Sequence, residues 1–110
     1  MPLKYKYLVQ QMTSLDSALS FHKYSRKQEC VQFSEVCDSV RASFGRDMNV
    51  NIFRQILTIV PEFYTHLWIN NKLTINTNQD LRIIEVTQKR EEVIKQRLLA
   101  ICIECFRNHC

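Results

Sequence analysis

The feature that most constrains this chain is a change of pattern after Pro61. Phe63-Tyr64-Thr65-His66-Leu67-Trp68-Ile69 is aromatic and β-branched, Asn70-Asn71 is a pair that tolerates left-handed backbone, and Leu73-Thr74-Ile75 alternates. Together they predict a β-hairpin. The segments on either side carry apolar residues at helical spacing instead.

Four helical stretches frame the hairpin. Residues 4–24 place Tyr7, Leu8, Met12, Leu15, Leu19 and His22 near one face, and the polar segment 25–32 that follows reads as a loop holding a short strand at Cys30-Val31. Phe33, Val36, Cys37, Val40 and Phe44 define a second helix, with Ser34 as a candidate cap and Gly45 suited to a left-handed C-terminal closure. Asn49 or Asn51 can cap a third, whose apolar set is Val50, Phe53, Ile56, Leu57 and Val60; Pro61 stops it, because the residue before proline avoids helical geometry. Leu81–Ile84 and Val86 read as a short strand or a loop. Thr87 is the expected cap of a long last helix running to about Asn108, which buries Val93, Ile94, the stem of Arg97, Leu98, Ile101, Cys105 and Cys102.

Three helices, a hairpin and a further helix make a mainly α chain with a small β-hairpin (α+β), in the order of a winged helix whose wing is the hairpin. At 110 residues, residues 1–110 are expected to form one such domain. With one Gly and two Pro, the chain has no glycine-rich phosphate loop. No Ser-His-Asp, Cys-His or paired-carboxylate arrangement stands out, so neither catalysis nor a small-molecule substrate is expected. No apolar run reaches membrane length and no secretory signal is apparent, so no membrane association is expected. Five cysteines, an odd number, suit a reducing compartment. Cys102 and Cys105, with His109 and Cys110 beyond and His22 in principle available, have zinc-like spacing, but inside an apolar helix they read as thiols on one face; neither metal nor cofactor is expected.

The net charge of +4 is local. Residues 1–27 hold five basic groups against Asp16 alone, while the rest of the chain balances. This is a modest patch, not the field of a dedicated nucleic-acid binder. In a DNA reader the third helix would offer Asn51 and Arg54 to the groove and the wing would offer Lys72, but apolar residues occupy much of that helix, as in one that is buried or docked on a partner. A winged-helix DNA-binding protein of transcription or chromatin, with weak DNA contact, is the alternative reading. Docking of proteins is the first.

Several strings, in order along nearly the whole chain, carry a resemblance. Pro2-Leu3-Lys4-Tyr5-Lys6-Tyr7-Leu8 with Leu15-Asp16, the block Phe33 to Phe44, Phe53-Arg54-Gln55-Ile56-Leu57-Thr58-Ile59-Val60-Pro61-Glu62-Phe63-Tyr64, Lys72-Leu73-Thr74-Ile75, and Lys89-Arg90-Glu91 with Leu98-Leu99 resemble the central domain of the eukaryotic replication-licensing factor. That family brings the MCM helicase to origins and is inhibited by geminin. The resemblance implies a nuclear, non-catalytic module, with MCM subunits and geminin as partners. Lys4, Tyr5, Lys6 and Tyr7 would form an aromatic–basic surface, and Lys89 and Arg90, expected in the first turn of the last helix, a basic cluster. The hydrophobic segment that precedes the Lys-Tyr-Lys motif in the family, its basic N-terminal region and its second winged helix are not among these residues.

Overall fold

The computed structural model describes residues 2–109. The elements are α1 (Leu3–Ser20), a π turn (Phe21–Ser25), β1 (Val31–Gln32), α2 (Phe33–Phe44), α3 (Val50–Ile59), a 3-10 turn (Pro61–Phe63), β2 (Thr65–Ile69), β3 (Lys72–Asn76) and α4 (Ile84–His109). Helices dominate, and the strands form one antiparallel sheet in the order β1-β3-β2. This is a winged-helix arrangement.

Local signals set most of these boundaries. Gly45 closes α2 at φ 64°, and its N–H donates to the Arg41 carbonyl at 2.9 Å. The Asn49 side chain caps α3 by accepting from the Ile52 N–H at 2.9 Å. Asn70 and Asn71 turn the hairpin at φ 51° and 62°, the paired left-handed geometry of a two-residue loop. The register then runs from Ile69 opposite Lys72 to Thr65 opposite Asn76. β1 joins the far side of β3, with Val31 opposite Ile75.

Met12, Leu15 and Leu19 of α1, Val36 and Val40 of α2, Phe53 and Ile56 of α3, and Ile94 and Leu98 of α4 meet the inner side of the sheet at Val31 and Ile75. A fully buried side chain of this size stabilises by about 1.5–3 kcal/mol relative to exposure, so the core rests on helix faces more than on the hairpin. His22, within the π turn, is buried between the Gln28 side chain and the Ser39 hydroxyl, at 2.9 and 2.8 Å.

Several boundaries and faces differ from expectation. The first helix leaves α geometry at Ser20. The short strand lies one residue later, at Val31–Gln32. Gln32, not Ser34, stands at the N-cap of α2, with no side-chain cap. Residues 81–83 form turns held by Asp80, whose carboxylate accepts from the Arg82 N–H at 3.0 Å, so they make no strand. α4 begins at Ile84, a turn before Thr87, whose hydroxyl donates to the Ile84 carbonyl at 2.9 Å instead of capping. Tyr7, Phe44, Ile101 and Cys105 are exposed rather than buried. Ile101 borders an open groove beside Tyr5 and Leu8, and Cys105 lies a turn beyond it. α4 is about 39 Å long for its 26 residues, and its final turns extend beyond the body.

Candidate functional site

The first turns of α1 stand apart from the core. Pro2 accepts from the Tyr5 and Lys6 N–H groups at 3.0 and 3.2 Å, and no acidic residue occupies the first turn. The positive end of the helix dipole is therefore reinforced by lysines rather than neutralised. Leu3, Lys4, Lys6 and Tyr7 are exposed and Tyr5 is half-buried. The Lys4 ammonium lies 5.3 Å from the Tyr5 ring centroid, within cation–π range.

α1 and α4 run antiparallel, since Asp16 meets Arg90 at one end and Leu8 and Leu98 share a groove toward the other. That groove is lined by Lys4, Tyr5, Leu8, Gln55, Thr58, Ile59, Leu98 and Ile101 and encloses about 250 Å³. Its floor is apolar and its α1 rim carries Lys4. A shallow trough between three helices, apolar below and cationic at one rim, suits an amphipathic helix with acidic flanks. Arg97 borders this region from α4, donating to Glu62 at 2.6 and 2.9 Å and to the Ile59 carbonyl at 3.0 Å. It therefore braces the end of α3 and does not bury its stem as expected.

Lys89 and Arg90 do not form a basic cluster. Because α4 starts earlier than expected, both lie in its second turn; Lys89 is exposed and Arg90 is 1% exposed. The guanidinium of Arg90 makes a bidentate pair with Asp16, 3.0 Å from each carboxylate oxygen. It also donates to the Gln79 side chain and to the Phe63 carbonyl at 3.4 Å, and stacks over the Phe63 and Tyr64 rings at 4.4 and 5.0 Å. Tyr64 donates its hydroxyl to the same Asp16. Arg90 thus ties α1, α4 and the segment entering the wing together, and it leaves the set of partner-binding residues. Burial pushes the Asp16 carboxyl above its ordinary 3.8, against the opposing pull of Arg90 and Tyr64. The same burial, with Asp16 alongside, raises Tyr64 and keeps it a donor.

This buried pair escapes a reading for surface charge, yet it has a signal. Asp16 sits one turn after Met12, between Leu15 and Leu19, and Arg90 sits one turn before Ile94 on the same face. A lone charge on each of two apolar stripes is the mark of a buried pair. Lys89, for its part, is not brought beside Lys4–Tyr7: the twelve helical steps of α4 from Lys89 to Ile101 span about 18 Å.

The residues considered for DNA lie elsewhere. Asn51 and Arg54 are exposed one turn apart on α3, and Lys72 is exposed where the wing turns back. Lys72 borders a groove lined by Phe33, Cys37, Asp38, Asn49, Val50, Trp68 and Leu73, among others; Asn51 and Arg54 do not line it. Its apolar wall and Asp38 offer little to phosphate. Cys102 and Cys105 lie on α4, and among the described residues no group of three His, Cys, Asp or Glu could hold a metal. Cys110 and the side chain of His109 lie outside the described residues. Among the described residues no helix is long and apolar enough to cross a membrane.

Compared with known families, residues 1–104 match the model described as "DNA replication factor CDT1 like". No curated protein matches the chain.

Proposed function

The chain belongs to the DNA replication factor CDT1-like family, whose role is DNA replication licensing, and from that premise we propose that it works in the nucleus as a docking module, without turnover, that helps bring the MCM helicase to origins and is open to inhibition by geminin. The observation that carries this reading is the groove rimmed by Lys4 and Tyr5 at the free end of α1. An aromatic beside a cation anchors an interface well, because it buries area at low entropic cost. The two lysines and the uncompensated helix end steer an acidic partner to it. Lys6 and Tyr7 are exposed on other faces of the same turns of α1, whereas Lys89 forms a separate, lesser contact point.

The test is Lys4→Glu with Lys6→Glu, both exposed, against purified geminin and purified MCM subunits by isothermal titration. Reversing the rim charge of Lys4 and the nearby charge of Lys6 is expected to weaken binding at least tenfold, with an unchanged melting temperature. Equal affinity in the variant removes this end of α1 from the interface. Lys89→Glu alone is expected to have a smaller effect; Arg90 is unsuited to such a test, because its replacement disturbs the core.

A further inference from the structure

The sheet order leaves β2 on an open edge. The opposite edge, β1, is two residues long and runs straight into α2, so it offers no template. β2 is different: all five of its residues, Thr65–Ile69, are exposed, with Leu67 at 61%, Trp68 at 57% and Ile69 at 42%. Proteins usually protect such an edge with lysine, proline, a bulge or a covering element. β2 carries no Asp, Glu, Lys, Arg or Pro, and its register with β3 runs unbroken.

The backbone specifies what fits. A two-residue turn makes Ile69 and Lys72 a hydrogen-bonded pair, and antiparallel pairs then alternate. Ile69, Leu67 and Thr65 turn their N–H and C=O groups toward β3. His66 and Trp68 turn theirs outward, free. An added antiparallel strand must present its own outward groups at the same two-residue spacing, and β2 of a second copy does so. With Leu67 opposite Leu67 on a two-fold axis, His66 of each strand faces Trp68 of the other, and four backbone hydrogen bonds form. No like charges meet in that register, and the apolar pair Leu67–Leu67, flanked by two Ile69–Thr65 pairs, lies on the outer face.

We propose that the wing is a self-association site: two copies of this chain join β2 to β2, antiparallel about Leu67, into one continuous sheet of six strands. The interface is small, so the dimer is weak and governed by concentration.

The test uses the whole chain. Sedimentation velocity over a dilution series reads the dimer, and emission of Trp68, the sole tryptophan, reads its location. Association with a concentration-dependent blue shift is expected. Leu67→Lys and Leu67→Glu, at a solvent-facing position, should keep the wild-type circular dichroism, yet each should weaken self-association by roughly tenfold or more, because like charges then face each other. An equimolar mixture of the two should associate again, since Lys now faces Glu. Phe106→Ser, on the exposed end of α4, should leave the dimer intact. A wild-type chain monomeric throughout, a dimer formed without a Trp68 shift, a dimer lost in Phe106→Ser, or a mixture that fails to recover each overturns the proposal.

Discussion

Lys89 and Arg90 are neighbours separated by a rotation of about 100° around α4. That rotation leaves one ammonium in water and sets the other residue's guanidinium against Asp16. The pair is worth more intact than broken. Removing one partner leaves a buried charge without compensation, so Arg90→Met is expected to destabilise the chain by about 3–5 kcal/mol at neutral pH, measured by urea unfolding. Adding Asp16→Asn should return part of that loss, because the charge is gone and Tyr64 keeps an acceptor. The sign of the pH dependence follows from burial, which raises the Asp16 carboxyl above its ordinary 3.8. A carboxyl raised in the folded state holds its proton more readily there than in the unfolded chain. Its contribution to stability is therefore full below the unfolded value and lost as pH rises through the folded one. Without Arg90 the rise is larger. The deficit of Arg90→Met relative to the double variant should thus shrink as pH falls from about 7 toward 4. Urea midpoints across that range check it, and a constant deficit would show that Asp16 is not the ionised group.

At the scale of elements, the signals that act within one turn are the legible ones. Asn49 accepts from Ile52 and starts α3 where its side chain can cap; Asn49→Ala is expected to cost about 1 kcal/mol in the same unfolding measurement. Gly45 sits at φ +64° with open space around its α-carbon, so Gly45→Ala meets no clash and should cost only the left-handed strain, about 1–2 kcal/mol. Pro61 and Asn70-Asn71 mark the end of α3 and the hairpin turn for equally local reasons. The start of α4 is not legible in this way. Thr87 looks like a cap, but Asp80 organises the turn before Ile84 and the helix begins there. Nor does periodicity say what an apolar face will meet. Ile101 and Cys105 carry the right spacing for burial, yet Ile101 lies on the open side of the groove beside Tyr5 and Leu8, and Cys105, a turn further on, is exposed. The same gap explains the site: Lys4–Tyr7 are visible as a basic–aromatic string, whereas the groove beside them needs Leu98 and Ile101 from α4 and Gln55, Thr58 and Ile59 from α3. That meeting is tertiary, and no segment of the sequence holds it.

For the whole molecule, the distribution of charge matters more than its sum. The basic excess of residues 1–27 splits between the ends of the first helical segment: Lys4 and Lys6 stand at its start, Arg26 and Lys27 just past its end, about 30 Å away along the axis. Lys23 is tied to the Thr77 carbonyl at 2.9 Å. No continuous basic stripe results, and the radius of gyration of 14.5 Å, against about 13 Å for a compact domain of this length, reflects the outstretched α4. The surface that would enter a DNA groove has Arg54 exposed on α3 and Lys72 on the wing, and Asp38 lines the same groove as Lys72. Two cations release few counterions: the slope of log affinity against log salt should be only about −2, a loss of roughly tenfold between 50 and 200 mM. Fluorescence anisotropy on a labelled duplex measures it, and Arg54→Ala with Lys72→Ala should bring the slope toward zero. A wild-type slope steeper than about −4 would mean that the chain tracks phosphates along a surface wider than α3 and the wing, with Lys4, Lys6, Arg26 and Lys27 as the cations left to supply it.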